Sequence, residues 1–212
     1  MRKVLFTGFE PFGGETINPS WLAVKALHGR RMLGRTAVSA QLPTVFDDSL
    51  RVLNALLREH QPELVICVGQ AGGRHAISLE RVAINVNDAP IADNTGKRPI
   101  DTPVVRGAPA AFFTGLPIKA MLAALQKEGV RAEVSQTAGT FVCNHVFYGL
   151  MRTLATSRTL RHTRGGFVHV PWLPEQGTPN MSLDDIVRGL AVAMRCALKV
   201  REDRVMGAGA TD

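Results

Sequence analysis

Val4-Leu5-Phe6-Thr7-Gly8-Phe9-Glu10-Pro11-Phe12-Gly13-Gly14 leads within a few residues to Asn18-Pro19-Ser20. The apolar run 4–7 has the length and composition of a buried strand, and the glycines and proline after it close the strand with a turn. Asparagine followed by proline then marks a helix start. The asparagine side chain accepts from a free backbone N–H, and proline loses nothing at the first helical position, where an N–H would be unpaired anyway. Strand, tight loop and helix in that order make the first unit of an α/β chain.

The same order recurs along the chain. Short apolar segments at 37–42, 64–68, 77–86, 132–135 and 167–170 alternate with helical patterns. Leu50, Leu53, Leu56 and Leu57 mark the inner face of a helix that ends before Pro62. Another helix spans 118–128 and stops at Gly129. The last begins at Ser182, with Leu183, Ile186, Val187, Leu190, Met194 and Leu198 at helical spacing. Without a linker-like break or an internal repeat, the pattern predicts one domain, 1–205, whose sheet carries helices on both faces. A tail of small residues, 206–212, is expected to be untethered and without function. The segment 77–86 is long for a buried strand and precedes a turn-rich stretch ending near Pro103, which predicts a mobile arm or hairpin. Ligand sites in such sheets lie beyond the carboxyl ends of the strands, so the loops there are the places to look.

Composition narrows the function classes. A chain of 212 residues with 45% hydrophobic content buries a full core. No apolar run approaches the roughly 20 residues that span a bilayer, and the first residues enter a strand rather than a signal peptide, so a cytoplasmic protein with no membrane partner is expected. Cys67, Cys143 and Cys196 are odd in number and lack metal-type spacing, which predicts free thiols and no metal site. The formal charge of +7 raises the question of a nucleic-acid partner. The densest basic stretch, 152–164, contains Arg158, Arg161, His162 and Arg164 but no aromatic ring on which a base could stack, and it reads as a solvated loop.

Chemistry concentrates at Cys143. Thr137-Ala138-Gly139-Thr140-Phe141-Val142-Cys143-Asn144 is a small-residue turn entering an amphipathic helix, which puts the cysteine at or near the helix start. Unpaired N–H groups and the positive end of the helix dipole favour a thiolate there and can hold an oxyanion. Cys67, within an apolar strand, and Cys196, in the final helix, read instead as core. A thiol nucleophile needs a histidine to carry its proton. His145 is about 200° around the helix from Cys143 and cannot face it. His28 and His60 read as solvated helix-end residues, His162 belongs to the basic loop, and His75 is a lesser candidate. His169, late on a short apolar strand, is the better choice. For the acid that orients it, Glu80 stands in an apolar strand where a carboxylate must have a partner. Arg74 or Arg81 would also satisfy Glu80 as an ion pair, and Asp93 in the arm is the alternative acid.

Five blocks together resemble the pyroglutamyl peptidase I family of cysteine peptidases. They are Gly8-Phe9-Glu10-Pro11-Phe12-Gly13-Gly14 with Asn18-Pro19-Ser20; Gly69-Gln70-Ala71-Gly72-Gly73-Arg74; Glu80-Arg81; Gly139-Thr140-Phe141-Val142-Cys143-Asn144; and His169-Val170-Pro171 with Leu173-Pro174-Glu175-Gln176. The resemblance implies a single-domain, three-layer α/β/α sandwich with a mixed, mostly parallel sheet of the phosphorylase/hydrolase kind. It implies a catalytic triad of Cys143, His169 and Glu80, no cofactor, a homotetramer, and peptides with N-terminal pyroglutamate as substrates. It also implies a lactam pocket walled by Phe9, Phe12, Thr44, Ile91, Phe141 and Val142, with Asn18 and Gln70 at its polar edge. One stretch departs from the family pattern. After Asp88-Ala89 the family reads Arg-Ile-Pro-Asp-Asn, whereas this chain has Pro90-Ile91-Ala92-Asp93-Asn94, so an arginine near the site is missing and lower activity or an altered substrate range is expected. Two rivals compete with the peptidase. One is a nucleoside phosphorylase or hydrolase using the glycine loops for phosphate or ribose, which leaves Cys143 unexplained. The other is an RNA-binding module built on 152–164.

Overall fold

Alternation along the strands sorts their side chains between two cores. A computed structural model describes residues 2–209. In chain order its elements are β1 (Arg2–Phe9), α1 (Pro19–Leu27), β2 (Arg31–Met32), β3 (Arg35–Leu42), α2 (Asp48–His60), β4 (Leu64–Gln70), β5 (Ile77–Glu80), β6 (Val82–Ile84), β7 (Ala111–Phe113), α3 (Ile118–Lys127), β8 (Ala132–Ser135), α4 (Val142–Thr156), β9 (Arg164–Val170) and α5 (Leu183–Lys199). Val4, Phe6, Leu64, Ile66, Val68, Val168 and Val170 face one way and pack with α1, α3 and α5. Leu5, Val65, Cys67 and Phe167 face the other way, toward Leu53 and Leu57 of α2 and Val146, Phe147 and Leu150 of α4. Burying each such side chain stabilises the fold by about 1.5–3 kcal/mol, and doing so on both faces gives the three layers.

The sheet order is β2-β3-β1-β4-β9-β5-β8. β3, β1, β4 and β9 are mutually parallel, β2 and β5 run against their neighbours β3 and β9, and β8 follows β5. The sheet is therefore mixed and mostly parallel, as the family resemblance implied. β1 leads through α1 to β3, and β3 returns through α2 on the other face to β4, so the strand order reverses between β1 and β4. The loops leaving those two strands border a crevice at their carboxyl ends. Asn18 opens α1 as expected, its Oδ1 accepting from Ser20 N at 3.0 Å and Ser20 Oγ at 2.7 Å.

Some local expectations change. The run 77–86 is not one strand. At Arg81 the N–H goes to Ser135 O and the carbonyl accepts from Thr114 N, both at 2.9 Å, and the chain leaves the sheet. β6 then pairs with β7, which carries no strand periodicity in sequence. The following arm is tied to the domain by side chains. Asn144 Nδ2 donates to Ile84 O and Val86 O while its Oδ1 accepts from Ile84 N. The tail is held as far as it is described, with Arg81 Nη2 donating to Ala208 O at 3.2 Å. Residues 210–212 lie outside the described residues. Upstream, Asp203 caps α3, accepting from Lys119 N and Ala120 N at 3.0 and 2.8 Å. Arg164, from the basic stretch, donates to the last carbonyls of α5. Among the described residues no helix is long and apolar enough to cross a membrane.

His145 joins arm, α2 and α4. Its Nε2 accepts from Asp47 N at 3.2 Å, so Nδ1 carries the proton given to Asn87 Oδ1 at 3.0 Å. Burial pushes its pKa down to about 4, with Asp47 opposing and Lys97 adding. The unfolded chain, with histidine near 6.5, then binds the proton first as pH falls. The stability that neutral His145 contributes is full above about pH 6.5 and is lost toward pH 4. Urea unfolding should show a decline of up to about 3 kcal/mol across that window from this residue, flattened in His145→Gln; equal declines in both proteins would remove His145 as the cause.

Candidate active site

The turn before α4 decides where the cysteine stands. Gly139 takes a positive φ of 75°, and Thr137 Oγ1 accepts from Gly139 N at 3.0 Å. Thr140 bonds Asp88 through both its carbonyl and its hydroxyl, fixing the turn against the arm. Phe141 is extended and supplies no side-chain cap, and the first helical bond is His145 N to Phe141 O at 3.1 Å. The N–H groups of Val142, Cys143 and Asn144 are thus left at the positive end of a 15-residue helix. Cys143 lies over β4. A Cβ on Gly69 would fall 2.8 Å from Cys143 Sγ and 2.9 Å from the Phe167 ring, so only glycine leaves the sulfur its place. Gly69 is also the register partner of His169.

On β9, His169 is flanked by Gly69 of β4 and Ser78 of β5. Its Nδ1 lies 2.7 Å from Glu80 Oε1. The Glu80 side chain is wholly buried, and desolvation raises its pKa, but the hydrogen bond and charge of His169, with Ser135 and Arg74 adding, outweigh that and hold it lowered. An ionised carboxylate only accepts, so the His169 proton sits on Nδ1 and the lone pair on Nε2. Arg74 Nη1 reaches the same Oε1 at 2.7 Å, while Oε2 has no hydrogen-bond partner among the described residues. Glu80 thus meets His169 and an arginine on the same oxygen, and that arginine is Arg74, not Arg81. Asp93 is elsewhere, accepting from Phe46 N, Thr95 and Lys97 N in the arm. His75 is exposed.

The resting thiol differs from expectation. The helix start was expected to favour a thiolate, but burial pushes Cys143 up to about 12, Glu80 and Cys67 adding and Arg74 opposing, although the residue keeps some solvent contact. No hydrogen bond joins Cys143 to His169 among the described residues. The sulfur is protonated at rest and must give up its proton during attack. Cys67 is fully buried and is likewise pushed up to about 12, whereas Cys196 is half-buried against the α5 core.

The pocket residues divide by role. Phe12 and Phe141 stack obliquely with centroids 5.9 Å apart, and Phe46, which sequence reasoning missed, meets Phe141 edge-on at 5.4 Å. Ile91 is 43% exposed and lies near Gly13. Phe9 and Val142 are core side chains beneath the site, with Phe9 6.2 Å from the Phe167 ring. Asn18 Nδ2 and Thr44 Oγ1 both donate to Glu10 O, at 3.0 and 2.9 Å, so they clamp the loop that carries Phe12. Gln70 Oε1 accepts from Gln176 Nε2 at 3.2 Å, which orients the Gln70 amide toward donating. Gln176 stood within the sequence blocks, but its partner Gln70 lies over 100 residues away and left no local signal. Among the described residues no group of three or more His, Cys, Asp or Glu side chains is arranged to hold a metal ion.

Comparison with known proteins identifies the family and agrees with the fold. A sequence model described as pyroglutamyl peptidase matches residues 2–200. The pyrrolidone-carboxylate peptidase of Bacillus cytotoxicus is 52% identical over the full length of both chains. Pyrrolidone-carboxylate peptidase 1 of Ralstonia nicotianae is 55% identical over 96% of each. The crystal structure of Bacillus amyloliquefaciens pyroglutamyl peptidase I superposes with a TM-score of 0.92 at 52% identity, covering 96% of this chain and 100% of that one. A mutant pyrrolidone carboxyl peptidase from Pyrococcus furiosus gives 0.89 at 41% identity, covering 93% and 98%. Because the room at Gly69 is what seats the sulfur, Gly69→Ala should lower turnover about a hundredfold, the usual effect of moving a reacting atom by about 1 Å. Wild-type turnover by a folded Gly69→Ala enzyme would contradict that placement.

Proposed function

The chain belongs to the pyroglutamyl peptidase family, and on that premise we propose that it hydrolyses the N-terminal pyroglutamyl (5-oxoprolyl) residue from peptides and proteins through an acyl-enzyme on Cys143. His169 Nε2 takes the thiol proton as Sγ attacks the pyroglutamyl carbonyl. The N–H groups at the start of α4 receive the oxyanion. The imidazolium, steadied by Glu80, then protonates the leaving amine, and water activated by the same nitrogen cleaves the thioester. The observation that carries the proposal is the buried 2.7 Å contact of His169 with Glu80 beside a cysteine seated over Gly69 at an uncapped helix start. No step in it draws on a cofactor.

The lactam explains the specificity. Pyroglutamate lacks the N-terminal ammonium, so a slot walled by Phe12, Phe141 and Ile91, with the Gln70 amide at its edge, accepts its uncharged ring. A charged amine placed there would be desolvated without a partner. Against the phosphorylase-like alternative, the loop glycines are already committed to the protein's own packing: Gly69 to Cys143 and Phe167, and Gly72 to the Trp172 indole. In this reading residues 1–205 form one catalytic domain. The protein is cytoplasmic, in keeping with three free cysteines. In the same reading it is a homotetramer without nucleic-acid partners, the assembly that the family resemblance implies.

The test is release of a fluorescent amine from a pyroglutamyl substrate. Wild type should cleave it, a prolyl analogue lacking the lactam carbonyl should resist, and Cys143→Ser should lose at least about a thousandfold. Cleavage of the prolyl analogue at a similar rate would sink the pocket assignment, and persistence in Cys143→Ser would sink the nucleophile.

A further inference from the structure

Arg74 is the charged group nearest the His169–Glu80 pair that the reaction above leaves unused. It follows Gly72 and Gly73, the latter at φ 83°, in the loop leaving β4. Its Nη1 donates to Glu80 Oε1 at 2.7 Å and to Ser135 Oγ at 3.4 Å, and its Nη2 donates to Thr137 O at 3.1 Å. Its side chain is 27% exposed against 0% for Glu80, so the pair is largely withdrawn from water, where charge counts for more. One guanidinium thus joins the acid of the site to the turn that starts the cysteine's helix.

The charges explain why a cation is needed. Glu80 faces His169 from β9, Arg74 from the loop and Ser135 from β8. Cys143 is acted on by Glu80, Arg74 and Cys67. An uncompensated buried carboxylate would hold the imidazolium strongly and repel a thiolate, leaving the sulfur protonated and inert. Burial and Glu80 both push the Cys143 thiol up, and Arg74 draws it down.

We propose that Arg74 is a positioning residue that tunes the nucleophile: by offsetting the charge of Glu80 it makes the Cys143 thiolate attainable, and by sharing Oε1 it leaves the carboxylate able to orient His169. The inference rests on the reading of Cys143 as the nucleophile.

Its test does not require the peptidase reaction. The rate of Cys143 alkylation by iodoacetamide, followed by mass spectrometry of the Cys143 peptide between pH 7 and 10, reports thiolate directly. Arg74→Gln should slow alkylation at least about tenfold at fixed pH, since a nearby opposite charge is worth about a pKa unit or more. Arg74→Lys, which keeps the charge, should stay within about threefold of wild type. With a pyroglutamyl substrate, Arg74→Gln should lower kcat by a similar factor and leave KM within about twofold. Glu80→Gln supplies an arm that does not depend on Arg74→Gln folding. With the carboxylate charge gone and Arg74 unopposed, Cys143 should alkylate faster than in wild type even as turnover falls. Unchanged alkylation in Arg74→Gln, equal slowing in Arg74→Lys, or slower alkylation in Glu80→Gln would each overturn the proposal. Absent peptidase activity with the predicted alkylation pattern would instead fault the substrate assignment and leave Arg74's role standing.

Discussion

A carboxylate with no exposed surface, Glu80, is the constraint around which the site is arranged. Burying an ionised group without partners costs several kcal/mol, so the surrounding structure must supply donors or the group must take up a proton. Both of the Glu80 partners found, His169 and Arg74, are cations or potential cations converging on one oxygen. They come from strand β9 and from the loop after β4. Meeting the needs of one buried acid therefore fixes the imidazole tautomer, anchors the loop of residues 70–74, and ties that loop to the turn before α4. Losing the donor from either His169 or Arg74 leaves the buried carboxylate short of a partner, which is why the site and the local fold are coupled.

The second requirement is space at the crevice where the strand order reverses. Glycine at 69 lets the sulfur approach β4, and glycine at 8 lets α1 start against β1, where a Cβ would fall 2.6 Å from Trp21 backbone atoms. Asn18 and Thr44, from opposite sides, hold Glu10 O and so hold the loop carrying Phe12. The crevice is thus built from strand ends and clamped loops that hold the aromatic wall and the nucleophile in place.

Much of this was legible in the sequence because local chemistry encodes it. Apolar runs marked six of the seven strands of the sheet, Asn18-Pro19 and Ser182 marked helix starts, and Cys143 at a turn-to-helix junction marked the candidate nucleophile. Glu80 drew attention because an acid in an apolar strand needs a partner. What was not legible depends on tertiary contacts. The strand break at Arg81 arises from bonds to Ser135 and Thr114, and β7 forms only because β6 departs from the sheet. The tail is held by Arg81 and by packing of Ala208 on the core, and the cap of α3 comes from Asp203, over 80 residues downstream. The protonated state of Cys143 follows from burial of the sulfur against β4 and from the nearby Glu80 charge, and helix position alone points the other way. Asn18 and Thr44 are loop clamps because Glu10 O happens to lie between them, a fact of three dimensions.

The central claim is that chemistry passes through a covalent bond to Cys143. Acid-quenching a reaction with a pyroglutamyl substrate during turnover, followed by digestion and mass spectrometry, tests it directly. The account predicts a mass gain of one pyroglutamyl group confined to the peptide containing Cys143, absent when Cys143 has been alkylated beforehand. Acylation at Cys67 or Cys196 instead, or steady turnover after complete and selective alkylation of Cys143, would contradict it.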